Sequence, residues 1–153
     1  MTMKFDIEYT GDIEQRKLIY DTEEYSFDTE PSIHETNFDI VVNKLNLTIV
    51  DDNRVAQVWG FCGYNEWIKS NDLVPMSDKG ILKVVDDLED GLSHRVGECN
   101  FQIFVNTQTG WVCIGDPKKS GKAVEFMNGC VAVINDEQEF VSLWLKPDAL
   151  PKL

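Results

Sequence analysis

The chain has 153 residues, with 14 basic and 27 acidic side chains and a formal net charge of −13. That sign argues against a nucleic-acid partner, which needs Lys and Arg over its phosphates, and against docking on an anionic membrane. A content of 42% hydrophobic and 10% aromatic residues supplies a core rather than disorder, and the length fits a single domain, 1–153.

The start, Met1 to Asp6, has no apolar stretch and meets an acid almost at once, so no signal peptide is expected. The longest apolar runs, such as Cys130–Ile134, fall far short of the roughly 20 residues of a spanning helix. A cytoplasmic protein is the expectation. Lys4 to Tyr9 alternates, with Phe5, Ile7 and Tyr9 on one face, and predicts a half-buried strand. Asp12 to Tyr20 predicts about two helical turns capped by Asp12, although a strand over Arg16 to Asp21 competes. Asp21 to Glu35 reads as an acidic loop. Asn37 to Val42 and Leu45 to Val50 are apolar and β-branched, and Arg54 to Cys62 follows the polar Asp51-Asp52-Asn53, which predicts a hairpin. Asn65 to Lys69 fits one turn, and Ile81 to Val85 a short strand.

The C-terminal third predicts strands over Asn100–Val105, Trp111–Ile114, Ala123–Met127, Val131–Ile134 and Phe140–Leu145, separated by turn residues such as Asn128-Gly129. Pro147 and Pro151 close the series and leave a short tail at 148–153. The fold class expected is mainly β, or α+β. It is an antiparallel sheet or a sandwich or half-barrel with a C-terminal meander and at most one or two short helices.

Motifs that carry chemistry are absent or misspaced. Gly115 to Lys122 has five residues between its glycines and Ala123 where a phosphate loop needs Ser or Thr. An exposed loop between strands is expected there. Asp51-Asp52-Asn53 and Asp86 to Gly91 lack the calcium-loop spacing and read as solvated turns. His34 and His94 lie in polar contexts and read as exposed loop residues. Cys62, Cys113 and Cys130 sit in apolar runs and read as small buried residues; no disulfide, metal or other cofactor is expected.

The charge is uneven. Residues 1–52 hold 13 acids and 4 bases, a net of −9. Asp21 to Glu35 has six acids, Asp21, Glu23, Glu24, Asp28, Glu30 and Glu35, and no base, with Tyr25 and Phe27 interleaved. Such a segment can steer and anchor a basic protein surface; the plain alternative is a solubilising loop. Partner-binding candidates are therefore Asp21, Glu23, Glu24, Tyr25, Asp28 and Glu30, with Asp86, Asp87, Glu89, Asp90 and Trp67 as a second group. Trp67 follows a glycine break and is expected at the surface, whereas Trp59 and Trp144 lie in alternating strands and are expected in the core.

The pattern Gly110-Trp111-Val112-Cys113-Ile114-Gly115, then Ala123 to Phe126, Val131 to Ile134 and Leu143-Trp144-Leu145-Lys146-Pro147, resembles small acidic bacterial immunity proteins. These are the antitoxin partners of contact-dependent growth inhibition systems. With the Val55 to Phe61 arm, the likeness covers Arg54 to Pro147. It implies a non-enzymatic inhibitor of a cognate basic toxin domain such as a nuclease. Two other classes stay open: a β-barrel or sandwich with a ligand cavity lined by Phe61, Phe104, Trp111 and Trp144, and an enzyme with a dispersed site around His94.

Overall fold

The computed structural model describes residues 3–13, 15–34, 36–85, 93–97 and 100–153. The chain is mainly β, with a curled sheet and a second sheet packed as a sandwich. It begins with β1 (Phe5–Glu8), β2 (Lys17–Asp21), β3 (Ser26–Glu30), β4 (Phe38–Val42), β5 (Leu45–Val50) and β6 (Arg54–Phe61). Next come β7 (Ile68–Lys69), β8 (Asp78–Lys79), β9 (Ile81–Val84) and β10 (Ser93–Arg95). The last third supplies β11 (Ile103–Asn106), β12 (Trp111–Gly115), β13 (Lys122–Met127), β14 (Cys130–Ile134) and β15 (Phe140–Leu145). Single 3-10 turns cover Asp51–Asn53 and Tyr64–Glu66.

The first sheet has the order β1-β9-β6-β5-β4-β10, and the β2–β3 hairpin joins it through β6. One edge of β6 is shared: Arg54, at its start, faces Lys83 of β9, and Gly60 and Phe61, at its end, face Phe27 and Ser26 of β3. Only a strand as long as β6, eight residues, can seat two partners along one edge. The second sheet has the order β7-β11-β12-β15-β14-β13-β8. β13, β14 and β15 form the meander by successive hairpins. The exposed loop after Gly115 then carries the chain past this meander, so β12 lies beside β15 in a Greek-key arrangement. Three edge pairings are parallel: β10 on β4, β7 on β11 and β8 on β13. All three involve strands of two or three residues reached by long connections, so no hairpin dictates their direction.

The inner faces meet in one core. Phe5, Ile40, Leu47 and Val58 from the first sheet pack with Val112, Ile114, Leu143 and Leu145 from the second. Burying each such side chain contributes about 1.5–3 kcal/mol. A smaller apolar cluster lies on the opposite face of the second sheet, around Cys113, Val131, Val133, Val141 and Trp144. Residues 70–77 cover it as a strap that leaves β7 at one edge of the sheet and enters β8 at the other. Val74 packs underneath, and Asn106 Nδ2 holds the Asp72 carbonyl at 3.0 Å. The tail after Pro147 is also seated, since Asp148 N donates to the Leu18 carbonyl at 3.0 Å.

Several expectations change. Asp12 caps no helix: β2 is a strand in which Leu18 and Tyr20 point inward while Lys17 and Asp21 point out. Asp21 to Glu30 is a hairpin rather than a loop, because Phe27 and Thr29 alternate inward between Asp28 and Glu30. His94 belongs to β10, its ring edge-on to Phe38 at 5.8 Å. Trp59 is not in the core but 40% exposed. The cause is a bulge in β6: Ile49 faces Val55 while the adjacent Thr48 faces Gln57, so Ala56 has no partner. One extra residue flips the side-chain phase, and Trp59 and Phe61 emerge on the outside. The four aromatics proposed to line a ligand cavity therefore do not meet. Phe61 sits on the outer face of the first sheet, and Phe104, Trp111 and Trp144 belong to the outer cluster of the second.

Candidate partner-binding surface

The acidic hairpin lies against β6 at its turn end, where aromatics hold it. The turn at Thr22 to Tyr25 is closed by Asp21, whose Oδ1 accepts from the backbone N–H of Glu23 at 2.9 Å and of Glu24 at 3.2 Å. Tyr25 takes a left-handed φ of 54° to redirect the chain into β3. Its carbonyl accepts from Cys62 N at 2.8 Å. Tyr20 and Phe27 point inward and pack edge-on, with centroids 4.9 Å apart. The outward positions of the two strands carry Lys17, Ile19 and Asp21 opposite Glu30, Asp28 and Ser26. Asp21, Glu23, Glu24, Tyr25, Asp28 and Glu30 are all exposed. These six sequence-predicted residues are brought together on one hairpin.

Trp67 is not at the surface. It is 8% exposed, because the 3-10 turn at Tyr64–Glu66 swings it inward against Tyr20 at 5.2 Å and parallel to Phe27 at 6.1 Å. It braces the turn end of the hairpin and offers no ring to a partner. Asp86, Asp87, Glu89 and Asp90 lie outside the described residues, as does Glu35.

Trp59 and Phe61 are surface aromatics that the sequence reading did not place there. Both lie on the outer face beside the hairpin. Ser26 of β3 faces Phe61 and Phe27 faces Gly60, where the pairing ends; Asp28 and Trp59 are the next residues on each strand. Beyond them the Thr29 hydroxyl joins the strands in place of a backbone pair, donating to the Val58 carbonyl at 2.7 Å and accepting from Val58 N at 3.2 Å. The Trp59 indole N–H donates to Thr48 Oγ1 at 2.9 Å. Thr48 is itself fixed: it donates to Asp39 Oδ1 at 3.0 Å and accepts from Gln57 Nε2 at 3.1 Å. Gln57 completes the network by clamping the backbone of Ile33, accepting from its N–H at 2.8 Å and donating to its carbonyl at 3.2 Å. Phe61, 47% exposed, lies under the Lys44 ammonium, 5.3 Å from the ring centroid.

The hairpin surface is predominantly acidic, with Lys17 opposite Glu30 as the cation on its strands. Among the described residues the ion pairs are Lys4–Glu139, Lys17–Asp148, Lys83–Glu8 and Lys118–Asp72. None neutralises an acid of the hairpin. The Cys62, Cys113 and Cys130 thiols and the Tyr20 hydroxyl are buried beneath the surface. Desolvation pushes the Cys62 thiol up to about 12, and it raises Cys113, Cys130 and the Tyr20 hydroxyl as well. Among the described residues no three His, Cys, Asp or Glu side chains converge as a metal site. The arrangement is thus a rigid acidic and aromatic surface.

No protein-family model and no curated protein matches this chain.

Proposed function

We propose that this protein is an immunity protein that captures a cognate basic toxin domain, such as a nuclease, through the β2–β3 hairpin. One observation carries the reading: the exposed carboxylates of Asp21, Glu23, Glu24, Asp28 and Glu30 stand together without cationic partners among the described residues. A nuclease holds phosphates with Lys and Arg, and an acidic surface presents it with the same sign of charge. Steering of this kind raises association to about 10⁸ M⁻¹s⁻¹ or more at low salt. In this reading inhibition is stoichiometric and not enzymatic, the site of action is the cytoplasm, and no cofactor takes part.

The experiment pairs the chain with the toxic domain encoded beside its gene. Co-expression should restore growth, and purified proteins should associate rapidly with a steep loss of rate as salt is added. The triple variant Glu23→Lys, Glu24→Lys, Asp28→Lys should associate at least about tenfold more slowly and with a flatter salt dependence. Growth that is not rescued, or unaltered kinetics in the triple variant, would refute the assignment or the placement respectively.

A further inference from the structure

We propose that Trp59 and Asp28 form a receptor for an arginine side chain on the partner's surface, an inference that rests on the basic-partner reading above. The acids of the hairpin supply attraction at a distance but little geometry, since exposed ion pairs are weak. The structure offers geometry one strand away. Trp59 is anchored through its indole N–H to Thr48, so the ring edge is tied down while 40% of the residue stays in solvent. The ring is held in one orientation although a large part of it stays in solvent. Its value lies in binding, where a prearranged aromatic loses little entropy when a ligand arrives.

The face already binds a cation within the molecule. Lys44 lies over Phe61, two residues along β6 from Trp59 on the same side of the sheet. Asp28 and Trp59 are both exposed, and each lies one residue beyond the last β3–β6 pair, Phe27 with Gly60. An indole face with a carboxylate at its border suits a guanidinium better than an ammonium. Guanidinium is planar and less strongly hydrated, so it can stack on the ring and still give paired N–H donors to the carboxylate. Trp59 is thus the anchor and the hairpin the steering element. Thr48 is a positioning residue.

The test uses the whole chain labelled with ¹⁵N. Its four tryptophans give separate indole N–H signals. It is titrated with a blocked Gly-Arg-Gly-Arg-Gly peptide and with the Lys counterpart of the same charge. The Trp59 indole signal should shift saturably, and the Arg peptide should bind about threefold tighter or better. Trp59→Leu should erase the Arg preference and leave a weaker, salt-sensitive binding equal for both peptides. The double variant Glu23→Lys, Glu24→Lys, which leaves Asp28 in place, should weaken both peptides alike and keep the preference. A silent Trp59 indole, whether or not the hairpin amides move, overturns the receptor, as does an Arg preference that survives Trp59→Leu. The wild-type titration decides this even if the variant does not fold. Peptide binding confined to the hairpin leaves the basic-partner reading intact, and failure of growth rescue by the neighbouring gene's product undoes that reading without touching the peptide result.

Discussion

The hydroxyl of Tyr20 donates to the backbone carbonyl of Cys62 at 2.7 Å and so ties the acidic hairpin to the chain leaving β6. Tyr20→Phe removes this bond and keeps the ring packing on Phe27 and Trp67. The expected loss is about 1 kcal/mol, read as a lower urea midpoint at unchanged slope. Amide exchange across 18–29 should quicken. An unchanged midpoint would show that the Cys62 carbonyl finds another donor.

Thr48 joins three side chains through one hydroxyl. Thr48→Val keeps the shape and removes one bond each from Gln57, Asp39 and the Trp59 indole, while Gln57 keeps its two bonds to Ile33. A loss of about 1–3 kcal/mol follows from leaving such groups unsatisfied, together with a displaced Trp59 indole signal. Thr48→Ser should recover most of both. If valine were tolerated, the network would be ornamental to folding.

Gly115 ends β12 with φ of 120°, and a Cβ built there would stand 2.4 Å from the Val141 carbonyl oxygen. Gly115→Ala should cost more than about 2 kcal/mol, from backbone strain and the displaced β15. Gly11 is the control: its φ is 82°, but a Cβ meets nothing within 4 Å. Gly11→Ala should cost about 1 kcal/mol, the strain alone. Thermal melts of the two variants should separate accordingly.

The Asp72 carboxyl is held below its ordinary range by the Ser70 hydroxyl and then by Lys118. A depressed carboxyl pKa stabilises the fold above the unfolded value, about 3.9, and the contribution fades as pH falls through the folded value. Asp72→Asn should therefore lower the midpoint at neutral pH, begin to converge with wild type as pH falls below about 4, and meet it only below the folded value. A gap that persisted into stronger acid would mean that packing, not charge, is lost.

The strands of this fold were legible where alternation was regular. β4, β5, β9 and the five C-terminal strands follow the apolar pattern, because each buries one face or both. β3 was hidden by its acids: Asp28 and Glu30 dominate the composition, but only Phe27 and Thr29 decide the burial. Trp59 and Trp67 exchanged places for separate reasons. Ala56 shifts the phase of β6, and a bulge leaves no mark in a run of small and apolar residues. Trp67 is turned inward by tertiary packing on Tyr20 and Phe27, which lie some forty positions away in sequence. The hairpin acids could be read from composition; the aromatic half of the surface depended on register. β7, β8 and β10 are too short to carry a period.

The strap over residues 70–77 has a further consequence. Both margins of the second sheet are closed by strands at its two ends, β7 and β8, and open sheet margins are templates for aggregation. Nine residue steps from Lys69 to Asp78 reach about 30 Å, and the six strand spacings beneath amount to about 29 Å, so there is little slack. A single proteolytic cut near the fully solvent-facing Met76, 98% exposed, would loosen both margins together. The molecule has in effect one latch for two doors, and self-association after such a nick would be the sign that it had opened.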